Sequence, residues 1–139
     1  MGFLDRLSAG RRKRVEPYGL WADDARQLSV FSERGGVLED ARDSEFSITF
    51  TDEKRARSAA KELRVMQVRG ELVEPSHGVD EWSVVIHGRS QPLVPDFLRD
   101  TVDLAERLAA EHSGTYEGWV AKYTVEEKSA WGIEFLFDD

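Results

Sequence analysis

The sequence predicts an α+β domain built on an antiparallel sheet, and three observations predict it. Residues Phe46-Ser47-Ile48-Thr49-Phe50 alternate apolar and small polar side chains, the period of a strand half-buried against a core. They run directly into Thr51-Asp52-Glu53, a helix N-cap with an acidic first turn, after which Ala56, Ala59, Ala60, Leu63 and Met66 keep three-and-four spacing. Downstream, two alternating stretches, a second amphipathic stretch and a further alternating one follow within a chain of 139 residues, a length that suits one domain.

In chain order, residues 1 to 19 read as a flexible basic arm: Phe3, Leu4 and Leu7 could make one helical turn, and Arg11-Arg12-Lys13-Arg14 precede Pro17 and Gly19. From Trp21 to Arg34, apolar residues at Trp21, Ala25, Leu28 and Phe31 follow leading acids and stop at Gly35-Gly36, which predicts a helix. Residues 37 to 44 are expected to be a loop and 45 to 50 the first strand, followed by the helix over 53 to 66. Val68 to Val73 and Trp82 to His87 alternate on either side of Glu74-Pro75-Ser76-His77-Gly78, a hairpin pattern, and Ser90 to Pro95 read as a connection. Asp96 opens a second helix with an expected buried stripe of Phe97, Thr101, Leu104, Ala105, Leu108 and His112, and Gly114 is expected in the left-handed position after it. Thr115 to Thr124 is a strand with Trp119, Ala121 and Tyr123 on one side. Glu126 to Ser129 read as a turn, and Trp131, Ile133, Phe135 and Phe137 alternate as a last strand.

From 45 to 124 the order is strand, helix, strand, strand, helix, strand, the ferredoxin-like arrangement, with right-handed crossovers placing the first and third strands centrally. The expected organisation is thus a basic arm (1–19), a ferredoxin-like domain with its leading helix (20–124), and a C-terminal strand extension of the same domain (125–139).

The formal charge is −8, unevenly spread: residues 1 to 14 hold five basic residues and one acid, so residues 15 to 139 hold 14 basic and 26 acidic. An acidic body repels a phosphate backbone and suits a basic protein surface as partner, with no direct nucleic acid binding by the domain. No apolar run approaches the ~20 residues that would span a bilayer, so no membrane partner is expected. The absence of cysteine excludes thiolate zinc sites, disulfides and cysteine nucleophiles. The N-terminus is apolar first and basic afterwards, the reverse of a secretory signal, and a cytoplasmic location is expected.

The sequence offers no catalytic constellation. His77, His87 and His112 have no spacing that puts two on one face; convergence of His77, Asp80 and Glu81 on a metal is outweighed by solvated loop residues. There is no nucleophile elbow, and Gly35-Gly36 follows a helix and lacks a P-loop lysine. An RNA-recognition domain shares the element order, but the strand Trp82 to Gly88 offers one aromatic where that fold needs several. No catalytic residue, cofactor or metal is therefore assigned.

The run Gly114-Thr115-Tyr116-Glu117-Gly118-Trp119 after an acidic, alanine-rich helix resembles the Tyr-Asp-Gly-Trp ending of the regulator of ribonuclease E activity B family. Leu38, Arg42 and Glu45 to Phe50 before the first alanine-rich helix resemble the same family, and the similarity spans about residues 22 to 124. Here Glu117 replaces the usual aspartate, and Val120-Ala121-Lys122 replace a small-residue run. The resemblance implies a small, acidic, ferredoxin-like, non-enzymatic protein that binds and restrains a ribonuclease E-like endoribonuclease, its carboxylates meeting arginine groups. It carries over to Tyr116, Glu117, Gly118 and Trp119 as partner contacts, beside a core role for Trp119. The helix acids Asp100, Asp103, Glu106 and Glu111 are further candidate contacts. Two other readings stand beside this one: a ligand-binding protein or cofactor-free enzyme of the dimeric ferredoxin-like barrel type, and an immunity or antitoxin protein against an RNA-cleaving toxin.

Overall fold

A computed structural model describes residues 14–15, 19–76 and 78–130. The elements among them are β1 (Arg14–Val15), β2 (Leu20–Trp21), α1 (Ala22–Glu33), β3 (Ala41–Phe50), α2 (Glu53–Val65), β4 (Gly70–Val73), β5 (Trp82–Pro92), α3 (Pro95–Glu111), β6 (Thr115–Ala121) and α4 (Val125–Ala130). They divide between two compact units, Ala41–Gln91 with Asp100–Lys122, and Met1–Asp40 with Pro92–Arg99 and Tyr123–Asp139. The expected last strand over 131 to 137 lies outside the described residues, as do most of the basic arm and His77.

The first unit holds a four-stranded sheet in the order β4-β5-β3-β6, so the two strands expected in the centre are there. β3 pairs antiparallel with β6, and β4 with β5. Arg42, Ser44, Phe46, Ile48 and Phe50 of β3 all turn to the buried face, and α2 packs on β3 and β4. Asp52 caps α2 by accepting from the Arg55 amide at 2.9 Å, and Ala56, Ala59 and Leu63 form its buried stripe. Small residues at 56 and 59 let the helix sit close to the sheet, while Met66 is exposed.

Several boundaries differ from the sequence reading, each for a physical reason. β3 begins at Ala41, where a loop was expected, because its inward positions at the start are Arg42 and Ser44, polar residues that hide the alternation. Burial of Arg42 is compensated by donation from its Nη1 to the Lys122 carbonyl at 3.1 Å. β5 continues through the expected connection to Pro92, a residue tolerated at a strand end. The buried stripe of α3 is rotated from the expected one, comprising Leu98, Val102, Ala105, Leu108 and Ala109; Phe97, Thr101 and Leu104 are only half-buried. Ser113, at φ 58°, takes the left-handed position expected for Gly114. Gly114 is there because a Cβ would lie 2.5 Å from the Phe50 ring and 2.8 Å from the Thr49 carbonyl oxygen.

In the second unit, β1 pairs antiparallel with β2, so Arg14 and Val15, expected within the arm, form a short ladder. The Arg14 guanidinium lies 3.8 Å from the centre of the Trp21 ring and donates to the Gly19 carbonyl at 2.7 Å. Phe31 of α1 stacks on Tyr123 with centroids 4.2 Å apart. Residues 125 to 130 are helical, where Glu126 to Ser129 read as a turn. Thr124 and Glu127 form a reciprocal capping box, the Thr124 amide donating to Glu127 at 2.8 Å and the Glu127 amide to the Thr124 hydroxyl at 3.2 Å. The buried Glu127 carboxylate also accepts from the Val37 amide, tying α4 to the segment after α1.

Candidate functional site

The motif Tyr116-Glu117-Gly118-Trp119 lies in β6, an edge strand, and a β-bulge shapes it. Ser47 stands opposite Gly118 and Ile48 opposite Tyr116, which leaves Glu117 as the extra residue. Gly118 sits at φ 126°, a backbone region closed to most side chains, and nothing lies within 4 Å of where its Cβ would be. The glycine thus serves the bulge geometry and not a close approach. The extra residue resets the alternation, so that Tyr116 and Trp119, three apart, face the same side and are each only 4% exposed. Trp119 packs near Phe46 with centroids 6.4 Å apart. Both rings are core. Of the four motif residues only Glu117 has an exposed, charged side chain.

Glu117 points to the sheet face opposite the core, where its carboxylate accepts from the Thr49 hydroxyl at 2.7 Å. The same face carries Asp43 and Glu45 from β3, Glu71 from β4 and His87 from β5, because these alternate with the inward residues of their strands. His87, whose side chain is 15% exposed, has Nε2 2.9 Å from Glu71 and Nδ1 3.9 Å from Glu45. Asp43 accepts from the Ser90 amide at 3.0 Å. Four carboxylates are therefore held on rigid strands across one face. The sequence reading missed three of them, although the outward alternation of β3 and the position of Glu71 in β4 were signals that could have located them.

The helix acids do not converge in the same way. At about 100° per residue, Asp100 and Glu111 fall nearly on one line of α3, whereas Asp103 and Glu106 turn about 60° and 120° to its side. Asp103 and Glu106 are half-buried and Asp100 and Glu111 exposed. Glu111 is engaged: Arg107 donates to it at 2.9 Å and to Glu62 of α2 at 2.8 Å. His112 Nε2 lies 2.9 Å from the other Glu62 oxygen. These hydrogen bonds, from His112 first and Arg107 next, hold the Glu62 carboxyl below the usual carboxylate range, and Glu62 in turn raises the Arg107 guanidinium.

Glu62, Glu111 and His112 offer donor atoms within 4.8 Å of one another, a set that could hold a metal. The Arg107 guanidinium already supplies the positive charge that both carboxylates need, so the cluster reads as an inter-helix clamp. The other metal candidate, His77 with Asp80 and Glu81, depends on a residue outside the described ones.

A family model described as regulator of ribonuclease activity B matches residues 21–120. The chain belongs to that family. The match spans all of the four-stranded sheet but the last residue of β6, the bulged motif and the four acids Asp43, Glu45, Glu71 and Glu117. Among curated proteins, no sequence matches the chain significantly. As an RraB family member the chain is assigned to the regulation of ribonuclease activity, and no helix among the described residues is long and apolar enough to cross a membrane.

Proposed function

We propose that this RraB family protein is a non-catalytic cytoplasmic regulator that binds a ribonuclease E-like endoribonuclease through the acidic open face of its sheet. The observation that carries the reading is the placement of Asp43, Glu45, Glu71 and Glu117 on three strands of one rigid layer. Carboxylates fixed on strands meet guanidinium groups without first losing the freedom that loop carboxylates would lose, and each guanidinium so engaged is withdrawn from RNA phosphates. The −12 charge of residues 15 to 139 adds long-range steering toward a cationic partner. The sheet order β4-β5-β3-β6, with α2 between the first and second of its strands in sequence and α3 between the third and fourth, supports a ferredoxin-like topology.

The test is retention of the cognate ribonuclease on immobilised protein across a salt series. Binding is expected at about 0.05 M salt and release by about 0.5 M, where screening shortens to a few ångströms. Absence of retention at the low-salt end, or retention indifferent to salt, would overturn the reading. Replacement of Glu45 and Glu117 by lysine should remove retention, and replacement of Asp100 and Glu111 shows whether α3 takes part.

A further inference from the structure

On the side that faces α2, the β4 edge of the same sheet is bordered by cations. Between α2 and β4 lies an open groove of about 570 Å³ lined by Arg57, Lys61, Arg64 and Arg69, with Leu63 and Leu72 in its floor. A second depression continues it along α2, sharing Arg57 and Lys61 and adding Lys54. Arg57 is engaged by Glu53 at 2.6 Å, but Lys54, Lys61, Arg64 and Arg69 make no ion pair among the described residues. On a chain with a formal charge of −8, a row of uncompensated cations along one groove calls for an anionic occupant.

The backbone beside this row is also available. β4 is an edge strand, and the His87 amide donates to the Arg69 carbonyl at 2.9 Å. With Gly70 opposite Ile86 and Leu72 opposite Val84, the bonded pairs are then Arg69 with His87 and Glu71 with Val85. Alternation leaves the N–H and C=O of Gly70 and Leu72 directed away from β5, on the outer edge. An extended chain laid there presents every second side chain to α2 at a spacing of about 6.7 Å. The axial steps from Arg57 to Lys61 and from Lys61 to Arg64 are about 6 and 4.5 Å, close enough for flexible cations to meet alternate acids.

We propose that the α2–β4 groove binds an extended, acidic segment of a partner protein, added as a strand to the outer edge of β4 with alternate carboxylates paired to Lys61 and Arg64. RNA would use the same cations, and the Trp82 ring lies 5.7 Å from the Arg57 guanidinium at one end; but among the described residues no aromatic side chain is in the groove lining beside Lys61 and Arg64, the floor there is aliphatic and the edge offers peptide partners. The proposal is independent of the ribonuclease reading, since it concerns a different surface and a partner of opposite charge.

The experiment uses the full chain and a fluorescein-labelled peptide alternating glutamate with valine, read by fluorescence anisotropy. Two further peptides carry N-methyl groups on all glutamates or on all valines, and a labelled oligouridylate is the RNA arm. In an added strand, one of the two amide sets faces β4 and the other faces solvent. One methylated peptide is therefore expected to lose binding by about tenfold or more and the other to keep it. The double variant Lys61→Glu with Arg64→Glu should weaken the unmodified peptide about tenfold, with Lys61→Gln and Arg64→Gln as the gentler pair should the reversal lower the melting temperature. Absence of peptide binding, equal behaviour of the two methylated peptides, indifference to both variant pairs, or tighter binding of the oligouridylate would each overturn the proposal.

Discussion

The two edges of the four-stranded sheet are built on opposite plans. β6 carries a bulge at Glu117, turns its aromatic residues into the core and leaves one carboxylate outside. β4 is four residues long, in simple register with β5, and lies under a row of cations. A bulge spoils an edge as a template for further pairing; a short, regular edge remains available to it. The lesson is that the net charge of this protein is a poor guide to its surfaces, because Asp43, Glu45, Glu71 and Glu117 gather on one face of the layer, with Arg69 and Arg89 on the same side, while Lys54, Lys61 and Arg64 gather along α2 on the other.

The comparison is broken most directly at Trp119. If β6 is a core strand with one outward carboxylate, Trp119→Ala should destabilise the protein by about 3–5 kcal/mol, read from urea denaturation. A loss below about 1 kcal/mol together with loss of ribonuclease retention would instead make the ring a contact. Gly118→Val tests the bulge itself: forcing a β-branched residue to φ 126° should cost about 1–3 kcal/mol although there is space for the side chain.

How much of this was legible beforehand follows from which residues speak plainly. The alternation at Phe46, Ile48 and Phe50 and the Ala56, Ala59, Leu63 stripe located the central strand and its helix, because apolar residues occupied the inward positions. Where polar residues occupy them, as at Arg42 and Ser44, the pattern disappears although the strand is there. In β6 the failure is one of phase. Strict alternation puts Tyr116 opposite Trp119, and no apolar pattern announces the extra residue that brings them together; the glycine at 118 was the available hint. In α4 the threonine and glutamate three apart were a readable capping box, obscured by the charged run they belong to. The open face was the hardest part, because its acids come from separate strands and only the register assembles them.

Smaller effects sharpen the contrast between the surfaces. Glu117→Lys with Glu45→Lys should change stability by no more than about 0.5 kcal/mol while removing ribonuclease retention. The Lys61→Glu, Arg64→Glu variant should leave that retention in place, and loss of it would merge the two surfaces into one. The smallest effect is expected at Glu62. Its carboxyl is held below the ordinary range in the folded protein, so its contribution is present above the unfolded carboxylate pKa and is lost as pH falls through the lower folded value. Melting temperature followed from pH 6 to pH 3 should therefore fall less steeply for Glu62→Gln than for the parent chain, and parallel curves would show that the Arg107 clamp contributes no acid sensitivity.

The bulge has one more consequence, for chain length. Side chains in β6 beyond position 117 point where they do because the strand carries one residue more than its partner. Deleting Glu117 would rotate Trp119 toward water, and inserting a residue beside it would do the same, so this strand tolerates exchange of letters but not a change in their number. The turn around Ser76 and Val79, held by a single bridge, is where added or missing residues should be absorbed without disturbing the sheet.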